Sequence, residues 1–396
     1  MKKFNLLILS MLMFGCSTNN SSSEVSNISS QEEIVSSTIS SSESSSTNEI
    51  SSSESTSSII ESSTEERKLV TVKYKNPVYD ADFADPSYVK CEEDGYYYLF
   101  ATGAKIIKTK DMVNYEYVGT AFKSKPTWST SGANVWAPDV QYVDGQYVMY
   151  YSLSKWDDPN PGIGIATAPH PAGPWEDKGK LFRSSEIGVN NSIDAMVYQE
   201  DGRVYMVWGS FRGIYLVELE SNGLALKGGI EYANENKILI AGYQTNRPLD
   251  VSTYEGTYIV KKDNYYYLFL SNGQCCSGAY SYNLRVARSE NITGPYIDKS
   301  GESVLGGDKG TTIINASADF KAVGHNSVFM DDAGDFWTLY HGYKMKTNEE
   351  TYETTLDSSK RVLLMDKLIF TDGWPAVLGG IASSNKKTGP AFYEKA

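Results

Sequence analysis

The chain has 396 residues, enough for one large domain or two ordinary ones, and its 49 acidic against 36 basic residues give a formal charge of −13. That balance argues against a phosphate-rich partner, because nucleic-acid binding needs a basic footprint, and it disfavours a polyanionic substrate such as a pectate backbone. A neutral substrate fits better, although the 29 Tyr decide nothing by themselves, since tyrosine suits sugar rings and β-strands alike.

In chain order, residues 1–16 read first as a targeting segment. Lys2-Lys3 precede an apolar run, Phe4 to Phe14, too short to span a membrane as a helix. Gly15-Cys16 follows, and the arrangement resembles a bacterial lipoprotein signal whose cysteine becomes a lipid-anchored first residue, although Met13 and Phe14 are bulkier than usual there. Either lipidation or ordinary secretion puts the mature protein outside the cytoplasm. Residues 17–67 are mostly Ser, with Thr, Asn and Glu. Such a segment has too little to bury and is expected to be a disordered tether, with an r.m.s. reach of roughly 40 Å.

Folded sequence is expected over 68–396, as five hairpins of one pattern. They are DPSYVKCEEDGYYYLFAT from Asp85, APDVQYVDGQYVMYYSLS around Asp139, SIDAMVYQEDGRVYMVWGS around Asp194, EGTYIVKKDNYYYLFLS from Glu255 and GHNSVFMDDAGDFWTLYHGY around His325. Each has a polar head, a short strand, an acidic or Gly turn and an aromatic strand. The aromatic strands recur about 50–70 residues apart, the signature of a β-propeller with five blades. AGPWEDKG and TGPYIDKSG form a second, shorter repeat between the hairpins, and no long stretch has convincing helical periodicity. The fold class is therefore all-β. In a propeller the innermost strands surround one axis, so Asp85, Asp139, Asp194, Glu255 and His325 are expected to meet at one mouth.

Carboxylates facing one bond are the apparatus of glycoside hydrolysis: one protonates the leaving oxygen, another stays ionised, and like charges push their pKa values apart. No phosphate-binding loop and no GxSxG elbow supports a rival mechanism. After Cys16, the cysteines left are Cys91, Cys275 and Cys276; no CxxC pair is present, which argues against a zinc site, and the vicinal pair reads equally as a disulfide or as two thiols. His170 and His341 read as structural.

These motifs together resemble glycoside hydrolase family 43, and within it the endo-1,5-α-L-arabinanases, from about Asn76 onwards. ADPS (Ala84–Ser87) then makes Asp85 the general base, SIDA (Ser192–Ala195) makes Asp194 the pKa-modulating acid, and EGTYI (Glu255–Ile259) makes Glu255 the general acid. WAPDV (Trp136–Val140) resembles the second blade. GHNSV (Gly324–Val328) carries the histidine, His325, that the resemblance assigns to one axial, mostly water-coordinated cation, usually calcium. The segment Ser271–Gly301, with its Cys-Cys pair, and DGWPAV (Asp372–Val377) also resemble arabinanases. Candidate substrate contacts are Asn134, Trp136, Asp139 and Ser210.

The resemblance implies an inverting mechanism, with the two working carboxyls roughly 6.5–9.5 Å apart. It also implies a plant cell-wall arabinan as substrate; a monomer is expected, although no residue pattern fixes the oligomeric state. Ala84, Thr257 and the segment WGSFRGIYL (Trp208–Leu216) depart from the arabinanase pattern, which leaves open an exo-acting α-L-arabinofuranosidase or β-xylosidase, and a non-catalytic sugar-binding lipoprotein on the same scaffold. With the chain closing at Ala396, no further C-terminal β-domain is expected.

Overall fold

A computed structural model describes residues 68–243, 253–276 and 278–394. The leader, Cys16 and the Ser-rich segment lie outside the described residues. The strands form five sheets around one axis, with a two-stranded sheet closing the ring. Blade 1 comprises Ser87–Lys90, Tyr97–Ala101, Lys105–Thr109 and Glu116–Thr120. Blade 2 comprises Asn134–Val143, Gln146–Ser154, Gly162–Ala168 and Glu176–Arg183. Blade 3 comprises Met196–Glu200, Arg203–Trp208, Ile214–Leu219 and Ile238–Ala241. Blade 4 comprises Tyr254–Lys262, Tyr265–Asn272, Asn283–Ser289 and Thr311–Ile314. Blade 5 comprises Phe320–Met330, Phe336–Thr347, Val362–Thr371 and Trp374–Ala376, with Thr354–Leu356 paired beside its second strand.

All ladders are antiparallel, and each opening hairpin turns at the acidic or glycine signal read from the sequence; Glu200 pairs with Arg203 around Asp201-Gly202, for example. The second strands, buried on both faces, are the aromatic runs: Tyr97–Ala101 is buried at every position. A strand inside a propeller sheet touches the neighbouring blade on either side, so apolar continuity replaces alternation.

Five apolar clusters fill the five gaps between neighbouring blades. Trp208 sits at the centre of the cluster between blades 2 and 3, fully buried, with its indole N–H donated to Ser192 Oγ at 3.1 Å. Side chains of this size contribute about 1.5–3 kcal/mol each on burial.

The ring closes through its two ends. Leu69–Tyr74 pairs with Lys387–Tyr393. Below that pair, Asn76 is sewn to blade 5: its Oδ1 accepts the Met365 N–H at 2.9 Å, and its Nδ2 donates to Met365 O at 3.0 Å and Asp366 Oδ2 at 3.1 Å.

Candidate active site

Every blade has a left-handed residue at or near the head of its innermost strand: Asp85 (φ 59°), Ala137 (φ 38°), Asp194 (φ 60°), Gly256 (φ 53°) and His325 (φ 49°). Such conformations are costly for residues other than glycine and cluster at functional sites. The innermost strand bulges there in blades 2, 4 and 5, where pairing shifts between Trp136 and Asp139, Glu255 and Tyr258, and Gly324 and Ser327. Gly256 is obligatory for a second reason: a Cβ there would stand 2.8 Å from the His325 ring.

The heads are held by a ring of side-chain caps, each on the second strand of the preceding blade or directly after it. Thr102 Oγ1 accepts the Ala137 N–H (3.0 Å), Ser152 Oγ the Asp194 N–H (2.9 Å), Ser271 Oγ the His325 N–H (2.8 Å) and His341 Nδ1 the Asp85 N–H (3.1 Å). Blade 3 breaks the ring because Gly209 occupies the capping position and has no side chain. The Gly256 N–H faces the Asp194 carboxylate instead. A missing cap thus turns Asp194 toward blade 4, where Glu255 precedes Gly256.

Asp85, Asp194 and Glu255 line one cleft of about 670 Å³ together with Trp136, Tyr282 and Arg361. Asp85 Oδ1 accepts from Arg361 Nη1 at 2.9 Å, and its Oδ2 accepts from Thr102 Oγ1 at 2.5 Å. Burial alone would raise the Asp85 pKa, but the Arg361 guanidinium and the nearby His325 outweigh it and hold the carboxyl well below its ordinary range. Glu255 moves the other way. Burial raises its pKa, against hydrogen bonding that includes Ser210 Oγ at 2.7 Å from Oε2, and the charge of Asp85 adds to the rise. Asp194 is raised by burial and by the neighbouring Glu255 and Asp85. The Asp194–Glu255 pair therefore retains a proton where isolated carboxyls would have lost theirs. His325 Nδ1 lies 3.3 Å from Asp85 Oδ1 and 3.9 Å from Asp194 Oδ2; burial pushes the imidazole down to about 4, so it is neutral near pH 7.

The structure separates the sequence candidates. Asp85, Asp194, Glu255, Trp136, Ser210 and His325 all reach the cleft. Asp139 does not: it lies two residues beyond the left-handed head, so its carboxylate lines a narrow axial hole of about 20 Å³ beneath the acids. There it accepts the Val197 N–H at 2.8 Å, and burial raises it to about 6. Asn134 is exposed outside the cleft, where Lys125 donates to its Oδ1. Ser210 is committed to Glu255 and is a positioning group. His341, read as structural, touches Asp85. Cys275 and Cys276 form a disulfide in the cleft wall. Trp156, 70% exposed, meets Trp136 at 5.6 Å between ring centroids.

Sequence reasoning missed Arg361, Tyr282 and Trp156, which belong to no repeat motif. The caps had a signal, the polar residue closing each aromatic run in YLFAT, MYYS, LFLS and TLYH.

Residues 74–375 match the family described as Glycosyl hydrolases family 43. An extracellular exo-α-(1→5)-L-arabinofuranosidase of Cellvibrio japonicus is 31% identical over 312 residues, covering 75% of this chain and 86% of the relative. An extracellular endo-α-(1→5)-L-arabinanase of Bacillus subtilis is 30% identical over 308 residues, covering 74% of this chain and 86% of that protein. The solved structure of a Cellvibrio cellulosa α-L-arabinanase complexed with arabinohexaose superposes with a TM-score of 0.63 at 30% identity, covering 75% of this chain and 96% of the other. Fold, acid cluster and relatives agree: the chain is a glycoside hydrolase and belongs to family 43.

Proposed function

We propose that this protein cleaves internal α-1,5-L-arabinofuranosidic bonds of arabinan with inversion. One observation carries the reading: two carboxyls in one cleft are driven in opposite directions, Asp85 down and Glu255 up. Asp85, kept ionised by Arg361, draws a proton from a water that attacks the anomeric carbon. Glu255 gives its proton to the departing oxygen, and Ser210 orients it. Asp194 shares the retained proton with Glu255, and the pair gives it up only at a higher pH than an isolated carboxyl would. Room for the attacking water requires the two carboxyls to stand roughly 6.5–9.5 Å apart.

A cation at His325 fits the residues present. The neutral imidazole offers a ligand, and three carboxylates line the axial hole. Two lining residues, Thr257 and Asn326, carry buried oxygens (Oγ1 and Oδ1) without hydrogen-bond partners among the described residues. Calcium prefers oxygen ligands and would be held mainly through waters here. When bound, it supplies positive charge that stabilises the ionised carboxylates. The basic-apolar leader ending in Cys16, and relatives named extracellular, support an enzyme that works outside the cytoplasm, held to the membrane by lipid.

Hydrolysis of linear debranched arabinan tests the reading. Oligomers of mixed length are expected early in the reaction. Monosaccharide alone would favour exo action, the activity named for the Cellvibrio japonicus relative. Binding without any turnover would overturn the enzymatic assignment to arabinan and return the chain to a sugar-binding role.

A further inference from the structure

The end of the propeller opposite the cleft carries a second constellation that hydrolysis does not use. Cys91 directly follows the innermost strand of blade 1, six residues beyond Asp85, at most about 20 Å at ~3.3 Å per residue. A tight turn, closed by the Gly95 N–H to Cys91 O at 2.8 Å, brings Asp94 back beside it. His170 comes from the loop between the third and fourth strands of blade 2. The donor atoms of the three side chains all lie within 4.8 Å of one another. From these residues we propose a binding site for a divalent zinc-class metal ion, clipping blade 1 to blade 2.

Cys91 hydrogen-bonds Asp94 directly, and the spacing of the third donor is open to a shared ion. His170 Nε2 stands 3.4 Å from Asp94 Oδ2. That is long for an N–H···O hydrogen bond. It equals the edge of a tetrahedron whose corners lie about 2.1 Å from a central metal, roughly 3.4 Å. Thiolate, imidazole and carboxylate form a donor set suited to zinc, whereas calcium and magnesium demand oxygen. Supporting contacts fix the ligands. The Tyr96 N–H donates to Asp94 Oδ1 at 2.9 Å, the Tyr98 hydroxyl donates to Oδ2 at 2.7 Å, and the Tyr98 ring stands edge-on to His170 at 5.4 Å. Cys91 is the one free cysteine among the described residues and is fully buried. Asp94 and His170 are about one third exposed, which leaves an entry path and a fourth position for water.

The charge balance closes. The ion meets one carboxylate and one thiolate, and the Cys91 thiol gives up its proton to solvent. His170 stays neutral: Nε2 becomes the ligand and the ring proton moves to Nδ1. The exposed Ala172 N–H, now 3.1 Å from Nδ1, turns to water. No CxxC signal marked the site because its donors sit on two blades and meet only after the ring forms.

The test uses the chelator-stripped protein, titrated with CoCl2 and then ZnCl2. One equivalent of cobalt should give a thiolate-to-cobalt absorption band that zinc abolishes, and zinc should raise the melting temperature. Cys91→Ser should remove the band, and His170→Ala, a change in an accessible loop, should weaken zinc binding at least tenfold. Both variants should hydrolyse arabinan at the wild-type rate. A wild-type protein that gives no thiolate band overturns the proposal, and so does zinc affinity unchanged in His170→Ala.

Discussion

Blades 2 and 3 solve the same local problem with different residues. Each starts its innermost strand from a left-handed head whose N–H is capped by a hydroxyl of the preceding blade, Thr102 for Ala137 and Ser152 for Asp194. Blade 3 puts a carboxylate in that slot and delivers it to the cleft. Blade 2 puts alanine there and carries its acid two residues deeper, where Asp139 ends on a backbone N–H beside the axial hole. A displacement of two residues thus separates a group facing the cleft from one turned into the channel. Backbone conformation, more than the presence of an acid near a hairpin head, decides which acids converge.

The largest expected break concerns the proton itself. Glu255→Gln keeps the shape of the cleft and the Ser210 contact but removes the transferable proton; kcat should fall about 10²–10⁴-fold on unactivated arabinan while binding persists. Titration calorimetry with a short arabinan oligomer checks the second half.

The comparison sharpens directly with paired amides. Asp194→Asn should cost at least tenfold in kcat/KM and move the alkaline limb of the pH profile to lower pH, because Glu255 loses the carboxyl with which it shares a proton. Asp139→Asn should cost less in kcat/KM than Asp194→Asn, since its carboxylate lines the hole and not the cleft. Equal losses in the two variants would erase the distinction drawn between the blades.

Arg361→Met tests the opposite pole. The guanidinium holds the Asp85 carboxyl low, so its removal lets burial raise that pKa. The base works only when ionised, so the acid limb of kcat/KM should move to higher pH. Below the limb, activity should fall about tenfold for each pH unit that the limb moves. An acid limb that stays in place would show that another group sets it.

The smallest effect belongs to the caps. Ser152→Ala leaves the Asp194 N–H buried without its acceptor and should lower stability by about 1–3 kcal/mol, measured by urea denaturation. Ser271→Ala should do the same at the His325 head.

Much of this was legible. The five aromatic second strands and the acidic turns set the blade count, because strand periodicity is a local property. Asp85, Asp194, Glu255 and His325 stood out because polar residues opened strands that should have been apolar. Asp139 looked equivalent to them because sequence shows the acid and not the bulge; only the φ of Ala137 reveals the offset. Arg361 was invisible for another reason. It enters blade 5 from a loop with no repeat counterpart, and it meets Asp85 only because the last blade closes on the first. Asn134 illustrates the converse: nearness to Trp136 along the chain did not bring it into the cleft.

The pairing of Leu69–Tyr74 with Lys387–Tyr393 makes the ring a clasp whose halves lie at the two ends of the propeller sequence. Arg361 and His341, which hold Asp85, come from the blade that this clasp secures. A chain emerging residue by residue therefore cannot assemble a working base until nearly all of it is available. Removal of the closing strand should therefore weaken the hold of blade 5 on Asp85, and lower activity together with lower stability is the expected outcome.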